Sequence, residues 1–169
     1  MPNIISSQSI HNPELLVVFL VVSVVMGSLH RRMSSSGSFL MILGNLPFTA
    51  MHELSHFLVA AITGGHPSSF SLWPKRDGNG WILGSVSSIP TLLSAAPTAL
   101  APLGWLAFGY YSIAFWDMRP IWMPELMIWP ILYACAAAST PSGQDIKIAI
   151  THPFSLLLWA AIIYIASQF

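Results

Sequence analysis

The stretch His52-Glu53-Leu54-Ser55-His56 limits what this chain can be more than any other. Residues four apart on an α-helix lie one turn apart on the same face, so both imidazoles can reach one metal ion. The glutamate between them can take a proton from a water in such a site, the H-E-x-x-H pattern of zinc hydrolases. The surroundings sharpen the reading. Apolar residues run from Phe39 to Ala50 before the motif and from Phe57 to Ile62 after it. The motif therefore sits in a stretch long enough to span a bilayer, where ionisable side chains are costly and rare unless they serve a function. A chance match on a soluble amphipathic helix would have to account for three such side chains in one apolar run.

The rest of the chain agrees with that setting. Hydrophobic residues make up 54% of the 169 residues and charged residues only 7%. Soluble domains carry roughly 25% charged residues. So few charges cannot coat a surface facing water, and an integral membrane protein of one domain, residues 1–169, is expected. Six basic residues balance six acidic ones. That leaves no basic patch for nucleic acid. The single cysteine, Cys135, excludes an intrachain disulfide and a cysteine-built zinc site. Residues 1–13 hold no Lys or Arg, unlike the start of a signal peptide, so the first apolar run reads as a retained helix.

Five spanning helices are expected, at about 14–29, 39–63, 91–116, 121–138 and 154–167. The 139–150 stretch reads as a sixth, re-entrant element. Asn12-Pro13 marks the start of the first helix, and Ser23 and Gly27 give it a small-residue face. Pro47 should kink or break the second helix, and Gly64-Gly65 should end it. After it, Phe70-Ser71-Leu72-Trp73 alternates as a strand does, residues 74–80 are dense in turn signals, and residues 81–89 can return. A β-hairpin directly after the metal-binding helix follows, lying against the bundle because an open sheet edge is not tolerated in lipid. Its edge at Phe70, Ser71, Leu72 and Trp73 is the expected peptide-binding strand. Ala95-Ala96-Pro97 and Pro102 should bend the third helix, and tryptophans flank an interfacial turn at residues 116–122. Ser142 can cap a short helix starting near Gly143.

A catalytic zinc commonly takes three protein ligands. Beyond His52 and His56 the candidates are His11, His30, His66, Asp77, Asp117, Glu125, Asp145 and His152. Asp145 is favoured because it follows a Pro-Ser-Gly break between two apolar runs, where irregular backbone can aim a carboxylate inward. His66 and His152 are the reserves. Asn45, Thr140 and Ser142 are polar candidates for stabilising a developing oxyanion.

Together the motif, the Gly64-Gly65 stop, the Phe70–Trp73 strand with Pro74, the Ala-Pro start of the third segment and Pro141-Ser142-Gly143-Gln144-Asp145 resemble the site-2 protease family of intramembrane zinc proteases. The likeness covers about residues 39–150. Ser55 stands where that family commonly has Gly, and Ile146 follows Asp145 where it usually has Gly. The resemblance implies one zinc ion on His52, His56 and Asp145, Glu53 as the base, and a transmembrane protein or peptide as substrate. It also implies a multi-pass protein of the plasma or inner membrane, with hairpin and Lys147 on the cytoplasmic side. Charge does not choose the orientation: Arg31, Arg32 and Arg119 oppose Lys75, Arg76 and Lys147. Oligomeric state, substrate identity and cleavage site have no signature in the sequence. A non-catalytic metal-binding or metal-transport protein is the competing expectation.

Overall fold

The computed structural model describes residues 13–35, 39–77, 80–82, 84–116 and 124–168. His11, Asp117 and the tryptophan-flanked turn at 117–122 lie outside them, as do the hairpin tip at Gly78-Asn79 and the side chains of Asp77 and Glu125. The described chain is mostly helical, with one interrupted β-hairpin.

Helix α1 (Pro13–Ser35) opens on the expected proline, carries Glu14 in its first turn and Arg32 in its last, and so suits the helix dipole at both ends. It packs along α5 (Ile128–Ser139). The contact works because Gly27 has no side chain: a methyl there would fall 2.6 Å from the Ala136 carbonyl oxygen. Ser23, one turn earlier, is buried on the same stripe.

Helix α2 (Phe39–Ile62) runs on through Pro47, where a kink or a break is expected. Proline in a helix removes one backbone bond and crowds the preceding turn, yet packing can hold the helix together. The helix stops where expected. Gly64 takes φ 75°, and the Gly65 amide donates to the Ala60 carbonyl at 2.7 Å. A positive φ at this point is what glycine supplies most easily.

The hairpin consists of two short ladders in series. β1 (Ser69–Ser71) pairs antiparallel with β4 (Ser85–Ser87), and β2 (Lys75–Asp77) pairs with β3 (Gly80–Ile82). Three residues separate β1 from β2, and two separate β3 from β4. The register slips there by one, at a proline that has no N–H to give a ladder. Two bonds moor the base of the hairpin, Ser68 N–H to Ser87 O at 2.9 Å and Ile89 N–H to Gly65 O at 2.7 Å.

The third apolar run is broken into α3 (Ala95–Leu100), a 3-10 turn at Ala101–Leu103 and α4 (Gly104–Phe115). Pro102 is the residue that cannot continue α3. A 3-10 turn at Glu125–Met127 leads into α5. Thr140 is extended ahead of Pro141, and α6 (Gly143–Thr151) and α7 (Pro153–Ala166) follow, bent by 85° at His152. α7 is locked to the α3 region by Ala96 N–H to Ser155 Oγ at 3.0 Å and Trp159 Nε1–H to Leu93 O at 2.8 Å.

Among the described residues no single helix is both long and apolar enough to cross a membrane; the bent α6–α7 pair passes only as a pair. The apolar runs expected to span form helices that are shortened or interrupted. The third run is divided at Pro102, α5 has 12 residues, and α2 is diluted by Asn45, His52, Glu53 and His56. The core itself is built from small residues: Ala60, Ala95, Ala96, Ala99, Ala136, Ala138 and Ala149 are buried, which lets helix backbones approach closely.

Candidate metal centre

Helical spacing brings the two imidazoles of α2 to one side, with ring centroids 4.8 Å apart and Nε2 atoms 3.1 Å apart. Asp145, from the first turn of α6, closes the triangle. Its Oδ2 lies 3.4 Å from His52 Nε2 and its Oδ1 lies 3.3 Å from His56 Nε2. The expected third ligand is thus brought to the motif across 89 residues of chain. Among the described residues these three make up the cluster that could hold a metal ion, and all three are buried or nearly so.

The backbone fixes how each ring faces the centre. His52 Nδ1 donates to the Ala138 carbonyl at 2.9 Å, and His56 Nδ1 donates to the Thr98 carbonyl at 2.6 Å. A carbonyl oxygen can only accept, so the hydrogen sits on Nδ1 and the Nε2 lone pairs point inward. Asp145 is fixed with equal care. Its Oδ2 accepts the Ser142 amide at 2.6 Å, and its own amide donates to Ser142 Oγ at 3.1 Å. This reciprocal capping box starts α6 at the residue expected to cap it. The carboxylate therefore caps the helix and faces the histidines at once.

Two inward lone pairs 3.1 Å apart face a carboxylate whose oxygens stand 3.4 and 3.3 Å from them, one at each ring, and such donors repel unless a cation lies between them. Ligands about 2.0–2.1 Å from a zinc ion stand about 3.3 Å apart at the corners of a tetrahedron. The spacing of the two nitrogens is near that edge, one ligand atom from each of the three residues lies within 4.8 Å of the others, and the second contact of each ring is the backbone bond common around ligating histidines. Chemistry and geometry of the donor set fit a first-row divalent ion.

Two cavities meet at this point. One, of about 370 Å³, is walled by His52, Glu53, His56 and Asp145 on one side and by Gly84, Ser85, Val86 and Ser88 of the hairpin on the other. The second, of about 290 Å³, shares His52, Glu53, Gly84 and Ser142 with the first and extends toward Asn45 and α1. Glu53 thus stands at the junction. Gly84 covers it closely: a methyl there would fall 2.7 Å from Glu53 Cγ and 2.8 Å from Thr49 Cγ2.

The other sequence candidates separate clearly. His66 is exposed beyond the end of α2 with φ 43°. His152 Nδ1 donates to the Ile148 carbonyl at 2.9 Å, with the Thr151 hydroxyl 3.2 Å away, and His30 meets the Tyr133 hydroxyl at 2.7 Å. The Ser55 hydroxyl returns to its own helix at His52 O, 2.6 Å away. Phe70, Ser71, Leu72 and Trp73 line neither cavity. Phe70 packs on Phe57 with ring centroids 5.7 Å apart, and Trp73 is 77% exposed. The strand that faces the centre is β4, the partner of the one singled out from alternation. Of the polar candidates, Asn45 is buried in the wall of the second cavity and Ser142 borders both, whereas the Thr140 hydroxyl turns back to the Ala136 carbonyl.

The two carbonyls that orient the rings, and Gly84, were not foreseen. Backbone acceptors carry no side-chain signature, and a glycine in a strand has several readings. The Thr98 hydroxyl is also buried beside the centre with no partner among the described residues. No protein-family model matches this chain, and no curated protein and no solved structure matches it either.

Proposed function

We propose that the chain is an intramembrane zinc metalloprotease of the kind its motifs resemble, a compact relative of the site-2 proteases that hydrolyses peptide bonds in or near transmembrane segments. The observation that carries the reading is the convergence of His52, His56 and Asp145 within 3.4 Å, with Glu53 beside them at the meeting of two cavities. His52, His56 and Asp145 would hold the ion. A zinc ion so held supplies Lewis acidity and lowers the pKa of a water in the site.

The chain's own groups do the rest. Glu53 takes a proton from the attacking water and returns it to the leaving amine, as a general base and then a general acid. The Ala138 and Thr98 carbonyls keep both rings in the tautomer that leaves Nε2 free. Asn45 and Ser142, in the walls next to Glu53, are the side chains within reach of a developing oxyanion. A substrate helix has to unwind to enter, since its amides are internally bonded. Gly84 and β4 form the wall along which an unwound segment would lie.

The bilayer setting is supported by what the outer helices expose. Val17, Val18, Val21, Val24 and Val25 of α1, and Leu157, Ile163 and Ile165 of α7, are all more than half exposed. An apolar face of this extent is unlike the surface of a water-soluble monomer. The test is reconstitution. Purified protein in liposomes with a synthetic transmembrane peptide should release two fragments whose masses sum to that of the substrate plus one water. A chelator should stop the release and added zinc should restore it. Release that persists at full rate under exhaustive chelation, with zinc removed from the protein, would exclude the reading.

A further inference from the structure

The cavity of about 290 Å³ has a chemistry that the hydrolytic centre does not use. Its far wall comes from the end of α1, where His30 and Arg31 stand opposite Asn45 and Glu53. Arg31 is half-buried, and its Nη2 donates to the Thr140 carbonyl at the end of α5. A guanidinium has five N–H donors in a planar fork. One carbonyl satisfies one of them. Among the described residues no carboxylate forms an ion pair with Arg31: Asp145, whose charge reaches the guanidinium, is engaged by both histidines, and Glu53, in the same cavity wall, belongs to the hydrolytic centre. The approach is built in: Gly27, one turn before Arg31, brings α1 against Ala136 and Thr140, so the guanidinium is delivered to the cavity mouth on a close helix contact. His30 is held alongside by the Tyr133 hydroxyl at 2.7 Å and by edge-on contact with Phe48 at 5.0 Å. A half-buried guanidinium with no carboxylate in ion-pair contact, in the wall of a cavity that adjoins the proposed hydrolytic centre, can take an anionic group from the ligand.

We infer that the α1-side cavity is a carboxylate-binding subsite, with Arg31 as its anchor and Asn45 as a second polar contact. It selects peptides that carry a carboxylate on one side of the bond to be cut. The group is an acidic side chain or a free C-terminus, which share the same chemistry. The ligand's being a peptide rests on the protease reading; the recognition of a carboxylate does not.

The experiment uses the full chain with Glu53→Gln in neutral-detergent micelles, so that binding is read without turnover. Three fluorescent apolar peptides of one length serve as probes: an amidated peptide with Asn, the same peptide with Asp, and the Asn peptide with a free C-terminal carboxylate. Fluorescence anisotropy should give at least one carboxylate probe roughly tenfold tighter binding than the neutral one. Which of the two gains identifies the source of the group. Arg31→Gln in the same background should bring all three within about twofold. Arg31→Lys should cut the preference at least about threefold, because an ammonium cannot make the paired contact. Equal binding of all three probes, weak or strong, overturns the inference, as does a preference that survives Arg31→Gln. If Arg31→Gln fails to fold, an undiminished preference in Arg31→Lys overturns it instead. The two readings fail separately. A wild-type chain that cleaves none of the probes, while its Glu53→Gln form prefers carboxylate, sinks the protease alone. Cleavage of all probes with equal binding sinks the subsite alone.

Discussion

The metal centre and the hairpin that faces it are built on opposite terms. Every ligand of the centre is held twice. Each histidine is fixed by its helix and by a backbone carbonyl, and Asp145 by its helix and by the Ser142 amide. The hairpin is two ladders of three residues a side, out of register with each other, and its aromatic residues Phe70, Trp73 and Trp81 are exposed. It engages the centre closely at Gly84, which lies over Glu53. The difference teaches where precision is needed. Ligand atoms tolerate little displacement, so they sit on helices with second contacts. On the proposed reading the hairpin is a wall that receives an extended peptide, which must yield and re-form, and short irregular ladders suit that.

Substitutions can break or sharpen this contrast. The largest effect is expected at the base. Glu53→Gln should lower the cleavage rate by about 10²–10⁴-fold while leaving bound zinc unchanged. Rates in reconstituted liposomes and metal analysis of the same sample check both halves, and residual cleavage near the wild-type rate would mean another group takes the proton. Gly84→Ala comes next. The added methyl meets Glu53 Cγ at 2.7 Å and should cost about 10–100-fold in kcat/KM by displacing the carboxylate, with zinc retained. An unaffected rate would show that the hairpin moves freely enough to accept the methyl, and would weaken the role given to Gly84. Ser142→Ala removes the hydroxyl of the capping box but not the amide that holds Asp145 Oδ2. It should cost about 1 kcal/mol in thermal stability and about tenfold in zinc affinity by chelator competition. Trp73→Ala, on the exposed side of the hairpin, should change stability by no more than about 0.5 kcal/mol and leave kcat/KM within about twofold. A large loss there would restore the strand at Phe70–Trp73 as the one that grips substrate.

How far the sequence could be read follows from the range of each signal. His52, Glu53 and His56 were legible because helical periodicity alone puts them on one face. Asp145 was legible because a Pro-Ser-Gly break before a lone carboxylate is a local sign, and the capping box that realises it is local as well. The hairpin was legible from its turn residues. Its register slip was not, because three residues against two is set by how the strands meet and not by either strand. Which strand lines the cavities was not legible for a similar reason: alternation tells that a strand has two faces, but docking decides which strand meets α2. The number of apolar runs was legible. Their integrity was not, since whether Pro47 or Pro102 interrupts a helix depends on the packing around it. α2 passes through Pro47, and the third run breaks at Pro102. Arg31 reached the site through the Gly27 contact, a tertiary event with no trace near the arginine itself.

The most direct test of the whole account is the zinc content of purified protein measured by mass spectrometry, in the wild-type chain and in Asp145→Ala. The account predicts one zinc per wild-type chain and well under a tenth of that after the substitution, with the helical circular dichroism preserved. A wild-type chain that stays free of zinc when the ion is supplied, or an Asp145→Ala chain that keeps one zinc bound, would contradict it.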